Sequence, residues 1–256
     1  MSGVVRGASY TTQSQAIQLA NAMSIPARSL ACEREQIKLP QPLDNKMGHF
    51  LLTVLGFYSQ KSKMLHGGQE LYAAIKEQVD DGAMVKAFGM DETVLFSTYT
   101  LLALHVWLIV NRLGARTDAE SREFKQRFYV HFCIDVERRV HRAGVQVGVG
   151  KWLKQLETVF YSAGIQFDRV LNGESDQSFT DVVLVHFFGG DVTKKAQAAL
   201  VAKYLQRELH CLQLTDDESI LRGHIRFSRE PFEPFRRQLG AAAAATAGPG
   251  KGQQTR

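Results

Sequence analysis

The longest apolar run of the chain, VLFSTYTLLALHVWLIV at 94–110, constrains its fold more than any other feature. A membrane-spanning helix needs about 20 largely apolar residues. This run is shorter and carries Ser97, Thr98, Thr100 and His105. It is apolar nearly all round, and such a helix is stable in water only when other helices surround it. The run therefore predicts a buried central helix, with Asp91 just ahead of it as candidate cap. His105 within it requires a hydrogen-bond partner, because burying a polar ring unpaired is unfavourable. A core histidine satisfied by a neighbouring helix meets that need, and contact with a bound partner is the alternative. Trp107, two residues on, points elsewhere and reads as a packing residue.

The rest of the chain offers the surrounding helices. One is expected from Asp44 or Asn45 to about Gln60, with Leu51, Leu52, Leu55 and Tyr58 apolar. A second is expected over 69–88, where Leu71, Ile75 and Val79 recur at spacing four. In 123–142, Phe124, Phe128, Phe132, Val136 and Val140 form one stripe, and Gly144 stops the helix. Another helix is expected over 152–171, followed by the polar loop NGESDQS. Thr180 or Asp181 then caps a short helix ended by Gly189 and Gly190, and Asp191 caps an amphipathic helix over 192–212. TDDE at 215–218 resembles a capping box, and HIRFSREPFEPF at 224–235 reads as an extended tail with aromatic anchors. Val182–Val185 is β-branched but short, with no partner run. The expectation is all-α: a single bundle-like domain of about seven helices over 37–235, with a short extended C-terminal segment.

The two ends differ in composition. Residues 1–32 carry Arg6 and Arg28, many hydroxyls and no acid before Glu33. Residues 1–36 thus read as a mitochondrial presequence or a disordered N-terminus. IKLPQPLDNK at 37–46 is a proline-containing linker, and 236–256 is low-complexity sequence expected to be disordered. Lys plus Arg number 31 against 26 Asp plus Glu, a formal charge of +5. That mild excess permits contact with RNA or an anionic membrane without establishing either. Cys32, Cys133 and Cys211 are scattered and form no CxxC, which argues against a disulfide framework or a structural zinc site and for a reducing compartment.

Tests for chemistry come out negative. GVQVGVGKW at 144–152 has Val145 and Trp152 where a phosphate loop needs Gly and Ser or Thr, and it follows a helix. His131 and Asp135 are one turn apart, but two ligands do not make a metal site, and no matching pair lies on a second helix. There is no GxSxG elbow and no legible Cys–His constellation. No catalytic residue, metal or cofactor is expected, and the chain reads as a non-enzyme.

Several ordered fragments resemble the ubiquinol–cytochrome c chaperone family. Leu104-His105-Val106-Trp107 in a long apolar helix is similar to its Leu-His-x-Trp segment. Phe132, Asp135-Val136 and Arg139 follow its next helix, and Phe167-Asp168 matches an aromatic-Asp pair. Phe188-Gly189-Gly190, then Tyr204, Leu205 and Leu209, then Gly223, Phe227 and Pro231 continue the likeness, which spans about 70–231. Leu184 and Val185 stand where members have Trp-Arg, and Arg169 replaces a Glu.

The resemblance implies a mitochondrial assembly factor for respiratory complex III on the matrix side of the inner membrane. It would bind nascent cytochrome b, pair with a small partner protein as a heterodimer, dock near the mitoribosome and associate peripherally with the membrane. A client surface should be apolar or aromatic. The candidates are His105, Phe187, Phe188, Phe227 and Phe232. Arg138, Arg139, Arg142, Lys194 and Lys195 are the candidate basic contacts. The competing readings are a mitochondrial ribosome- or RNA-binding accessory protein and a helical metal- or quinone-dependent enzyme.

Overall fold

The computed structural model describes residues 13–32, 60–91 and 93–246. The linker at 37–46 and all but the last residue of the helix expected at 45–60 lie outside them. Among the described residues there are ten α-helices and no strand beyond one isolated bridge, so the all-α expectation holds. They are α1 (Gln13–Ala22), α2 (Gln60–Asp80), α3 (Ala83–Ala87), α4 (Leu95–Arg112), α5 (Ala119–Arg142), α6 (Val149–Leu171), α7 (Phe179–Phe188), α8 (Lys195–Gln213), α9 (Asp217–Leu221) and α10 (Glu233–Thr246). No described helix is long and apolar enough to cross a membrane.

The apolar run is the central helix, α4. Every side chain from Tyr99 to Ile109 is buried, and α2, α5, α6, α7 and α8 all touch it. Asp91 does not cap it. Its Oδ1 instead accepts from the Thr93 backbone N–H at 2.9 Å, and Val94 stands uncapped at the helix start. The expected helix over 69–88 is two helices. Gly82 adopts φ 75°, a left-handed turn that an L side chain resists, and the Asp81 carboxylate accepts from Ala83 N–H at 2.9 Å. Two caps shift by a few residues. Ser178, with Asp181 as its reciprocal partner, forms the capping box of α7, and Asp216 rather than Thr215 caps α9. Thr215 turns inward, where its hydroxyl accepts from Leu30 N–H and donates to the Cys211 carbonyl.

The ends depart most from expectation. Leu19, Met23 and Leu30, upstream of the boundary placed at 37, are buried in the core. Leu30 and Cys32 pair with Arg226 and His224 through backbone hydrogen bonds of 3.0 and 2.9 Å. The C-terminal segment is extended only to about 229. A 3-10 turn (Glu230–Phe232) then leads into α10, which runs past 236 to Thr246 and holds Arg236 in an ion pair with Asp81. Proline at the start of that turn and the alanine run after it favour a helix, which the low-complexity reading overlooked.

Candidate functional site

Fragments singled out in the sequence meet in three clusters, two of them on the central helix, and each is a packing device. The His105 Nδ1–H donates to the Leu101 carbonyl at 2.7 Å, and its Nε2 accepts from the Tyr204 hydroxyl at 2.8 Å. Phe227 meets the same imidazole edge-on at 4.7 Å. Burial holds the His105 pKa down to about 4, so the ring is neutral. Trp107 Nε1–H and Asn111 Nδ2–H both donate to Asp168 Oδ1 at 3.0 Å, which ties α4 to α6. Arg139 bridges Asp135 and Asp80, both at 2.7 Å, and the Tyr72 hydroxyl donates to Asp135 at 2.9 Å, which ties α2 to α5.

The structure places most of the client-contact candidates in the interior. His105, Phe187, Phe227 and Phe232 are all buried, and Phe188 is half-buried. The aromatics near chain bends serve inward. Phe232 packs against Phe88 and Tyr204 at 5.5 Å each, and Phe227 holds the extended segment down on His105. Of the basic candidates, Arg139 is buried in its carboxylate pair, Arg138, Arg142 and Lys195 are exposed, and Lys194 is half-buried. His131 and Asp135 do not converge on a metal position, because Asp135 is already engaged by Tyr72 and Arg139. Among the described residues no group of three or more His, Cys, Asp or Glu side chains could hold an ion.

Much of the exposed apolar surface lies on α6 and its neighbours. α6 is strongly amphipathic, yet only Leu156, Ala163 and Phe167 of its 23 residues are buried. On one flank it overhangs an apolar cleft lined by Ala103, Trp107, Val159, Gly164, Phe167 and Phe187. Gly164 permits that approach, since a Cβ there would lie 3.3 Å from Trp107 Cδ1. On the other flank the rings of Tyr129, Phe160 and Tyr161 run across the seam with α5, at 5.6 and 5.4 Å. On these two helices Val130 and Ile134 of α5 and Tyr161 and Ile165 of α6 are each 40–57% exposed. Sequence reasoning missed them because it followed the inward stripes of α5 and α6 and left the other apolar positions unassigned. The signal was present in Tyr161 and Ile165, which lie one turn apart and off the inward stripe of Leu153, Leu156 and Phe160.

Comparison with known proteins supplies the context for this surface. No curated protein matches the chain. The crystal structure of the Cbp3 homolog from Brucella abortus shares its fold, with a TM-score of 0.58 at 19% identity, over 68% of this chain and 96% of that one. The model of the ubiquinol-cytochrome C chaperone family matches residues 86–227, which run from α3 through α4 to the aromatic that packs on His105. The chain therefore belongs to the ubiquinol-cytochrome C chaperone family.

Proposed function

We propose that the protein is an assembly chaperone of cytochrome bc1 that shields newly made cytochrome b along the outer side of α6. Family membership supports the chaperone role. The observation that carries the client site is the exposed apolar set Val130 and Ile134 on α5 and Tyr161 and Ile165 on α6, in a fold that covers the other large apolar side chains of α4 and α5 wholly or in part. An unfinished membrane protein presents apolar helices, and an apolar groove with aromatic walls is the surface that receives them. The same reading takes a small helical partner protein, proximity to the mitoribosome, peripheral membrane contact and a matrix location from the family resemblance. A presequence on this chain would have to end before Gln13, because α1 and Leu30 belong to the core.

The test is a photo-crosslinking residue at Ile165 or Val130 in organelles synthesising cytochrome b. Adducts with cytochrome b that weaken several-fold in Tyr161→Asp, with the helical content unchanged, support the assignment. Adducts only with ribosomal components, or cytochrome b recovered equally well by Tyr161→Asp, would overturn it.

A further inference from the structure

The bend between α5 and α6 is the most exposed apolar point of the described chain, and cations surround it. Val147 at its apex is 89% exposed, and Trp152 in the first turn of α6 is 51% exposed. A Cβ placed at Gly144, Gly148 or Gly150 would meet no atom within 4 Å, so the bend stands clear of the rest of the molecule. Gly144 and Gly148 take φ values of 89° and 71°, which turn the chain sharply enough to project the short apolar segment between them.

Charge is distributed just as unevenly. From Val136 to Leu156 the only acidic residue is Glu137, against Arg138, Arg139, Arg142, Lys151 and Lys154. Arg139 is neutralised by Asp135 and Asp80. The other four are exposed, and none of them forms an ion pair among the described residues. They sit behind the apex, two on the last turns of α5 and two on the first turns of α6. The order along the projection is thus apolar tip, then tryptophan and a ring of cations.

We propose that this hairpin end docks on an anionic lipid bilayer, with Val147 and Trp152 entering the headgroup boundary and Arg138, Arg142, Lys151 and Lys154 meeting lipid phosphates. The layering favours a bilayer over a nucleic acid. A phosphate backbone is best met by cations at the most forward point, whereas a membrane places hydrocarbon deeper than phosphate. Tryptophan suits that boundary because its ring is apolar and its N–H can remain in the wet layer. The assignment rests on the peripheral membrane contact of the proposed function and gives it a surface, but it needs no client, so its failure leaves the client site on α5 and α6 standing.

The experiment mixes the full chain with phosphatidylcholine vesicles, with and without phosphatidylglycerol, and follows co-flotation and tryptophan emission. The chain has two tryptophans and Trp107 is buried, so a change in emission reports Trp152. Flotation only with the anionic vesicles, a blue shift, and quenching by brominated lipid are expected. Removing each cation should weaken binding about fivefold, so Arg142→Gln with Lys151→Gln should abolish flotation in moderate salt, and Val147→Asp should remove the blue shift. Equal flotation of Val147→Asp, no flotation of the parent chain, or binding to single-stranded RNA without binding to vesicles would each overturn the proposal.

Discussion

The α4–α8 contact and the α5–α6 hairpin are both helix pairs joined by aromatic rings, yet they close to very different degrees. In the first, Tyr204 is wholly buried between Phe88, Phe232 and His105, and even Arg207 and Glu208 are drawn in. In the second, Tyr161 meets Phe160 edge-on but keeps half its surface in solvent. Both regions use tyrosine, and the contrast lies in what covers it. The C-terminal segment and the N-terminal strand-like residues are laid over α8, while among the described residues nothing is laid over the outer side of α6. One region holds the fold, and the other is free to meet something else.

The sharpest way to break this comparison is to truncate the two tyrosines in parallel. Tyr204→Ala removes a buried ring and leaves His105 Nε2 without its donor. It should cost about 4 kcal/mol of unfolding free energy. Tyr161→Ala should stay within about 0.5–1 kcal/mol. Urea denaturation of both variants measures the difference directly. Comparable losses would mean that the α5–α6 seam is core after all.

The same contrast explains what could be read from sequence. The central helix, its histidine and the stripe of Phe124, Phe128 and Phe132 were legible, because burial on all sides and a spacing of four leave little freedom. Trp107 was legible as a packing residue, though not its bond to Asp168, since partners distant in sequence carry no local signal. The family fragments were equally plain, but their roles were not. His105 touches both Tyr204 and Phe227, so these fragments form a clasp holding two helices and a tail. The exposed apolar residues of α5 and α6 escaped notice because periodicity identifies apolar positions without saying which of them lack a cover. The ends were misread because composition describes average character, whereas Leu19, Met23 and Leu30 each fill a particular site against α8 and the C-terminal segment.

Acidification tests the interior side of the comparison with an effect of intermediate size. His105 has a folded pKa lowered to about 4 from an ordinary 6.5. Between those values the unfolded chain binds the proton and the folded chain does not, so stability falls as pH drops below about 6.5 and the loss levels off near 4. At pH 5 the loss relative to pH 7 should be about 2 kcal/mol. Glu208 acts in the opposite sense. Its pKa is raised by burial, so its contribution is largest at low pH and declines as pH rises through its folded value. The histidine part is isolated by difference. His105→Gln should lose the downward slope between pH 7 and pH 5 while Glu208 continues to act. An unchanged slope in that variant would assign the pH dependence to other groups, of which the half-buried His186, also lowered by burial, is the first candidate.

The smallest expected change in stability carries the most weight for the outer region. Val130 and Ile134 lie one turn apart on α5, 47% and 40% exposed. If the seam exists to hold α5 against α6, replacing both with serine should loosen the hairpin and cost more than about 1 kcal/mol. If it exists to receive a client, the folded protein gains nothing from their apolar surface, and the double variant should stay within about 0.5 kcal/mol of the parent. Crosslinking to cytochrome b should nevertheless fall several-fold, because a hydroxyl placed in an apolar contact must be desolvated on binding. A variant that is stable but fails to capture cytochrome b separates the two roles cleanly. One that unfolds more readily and still captures it would place the hairpin with the core and move the client surface to the α4–α6–α7 cleft, where Trp107 and Phe187 line the wall.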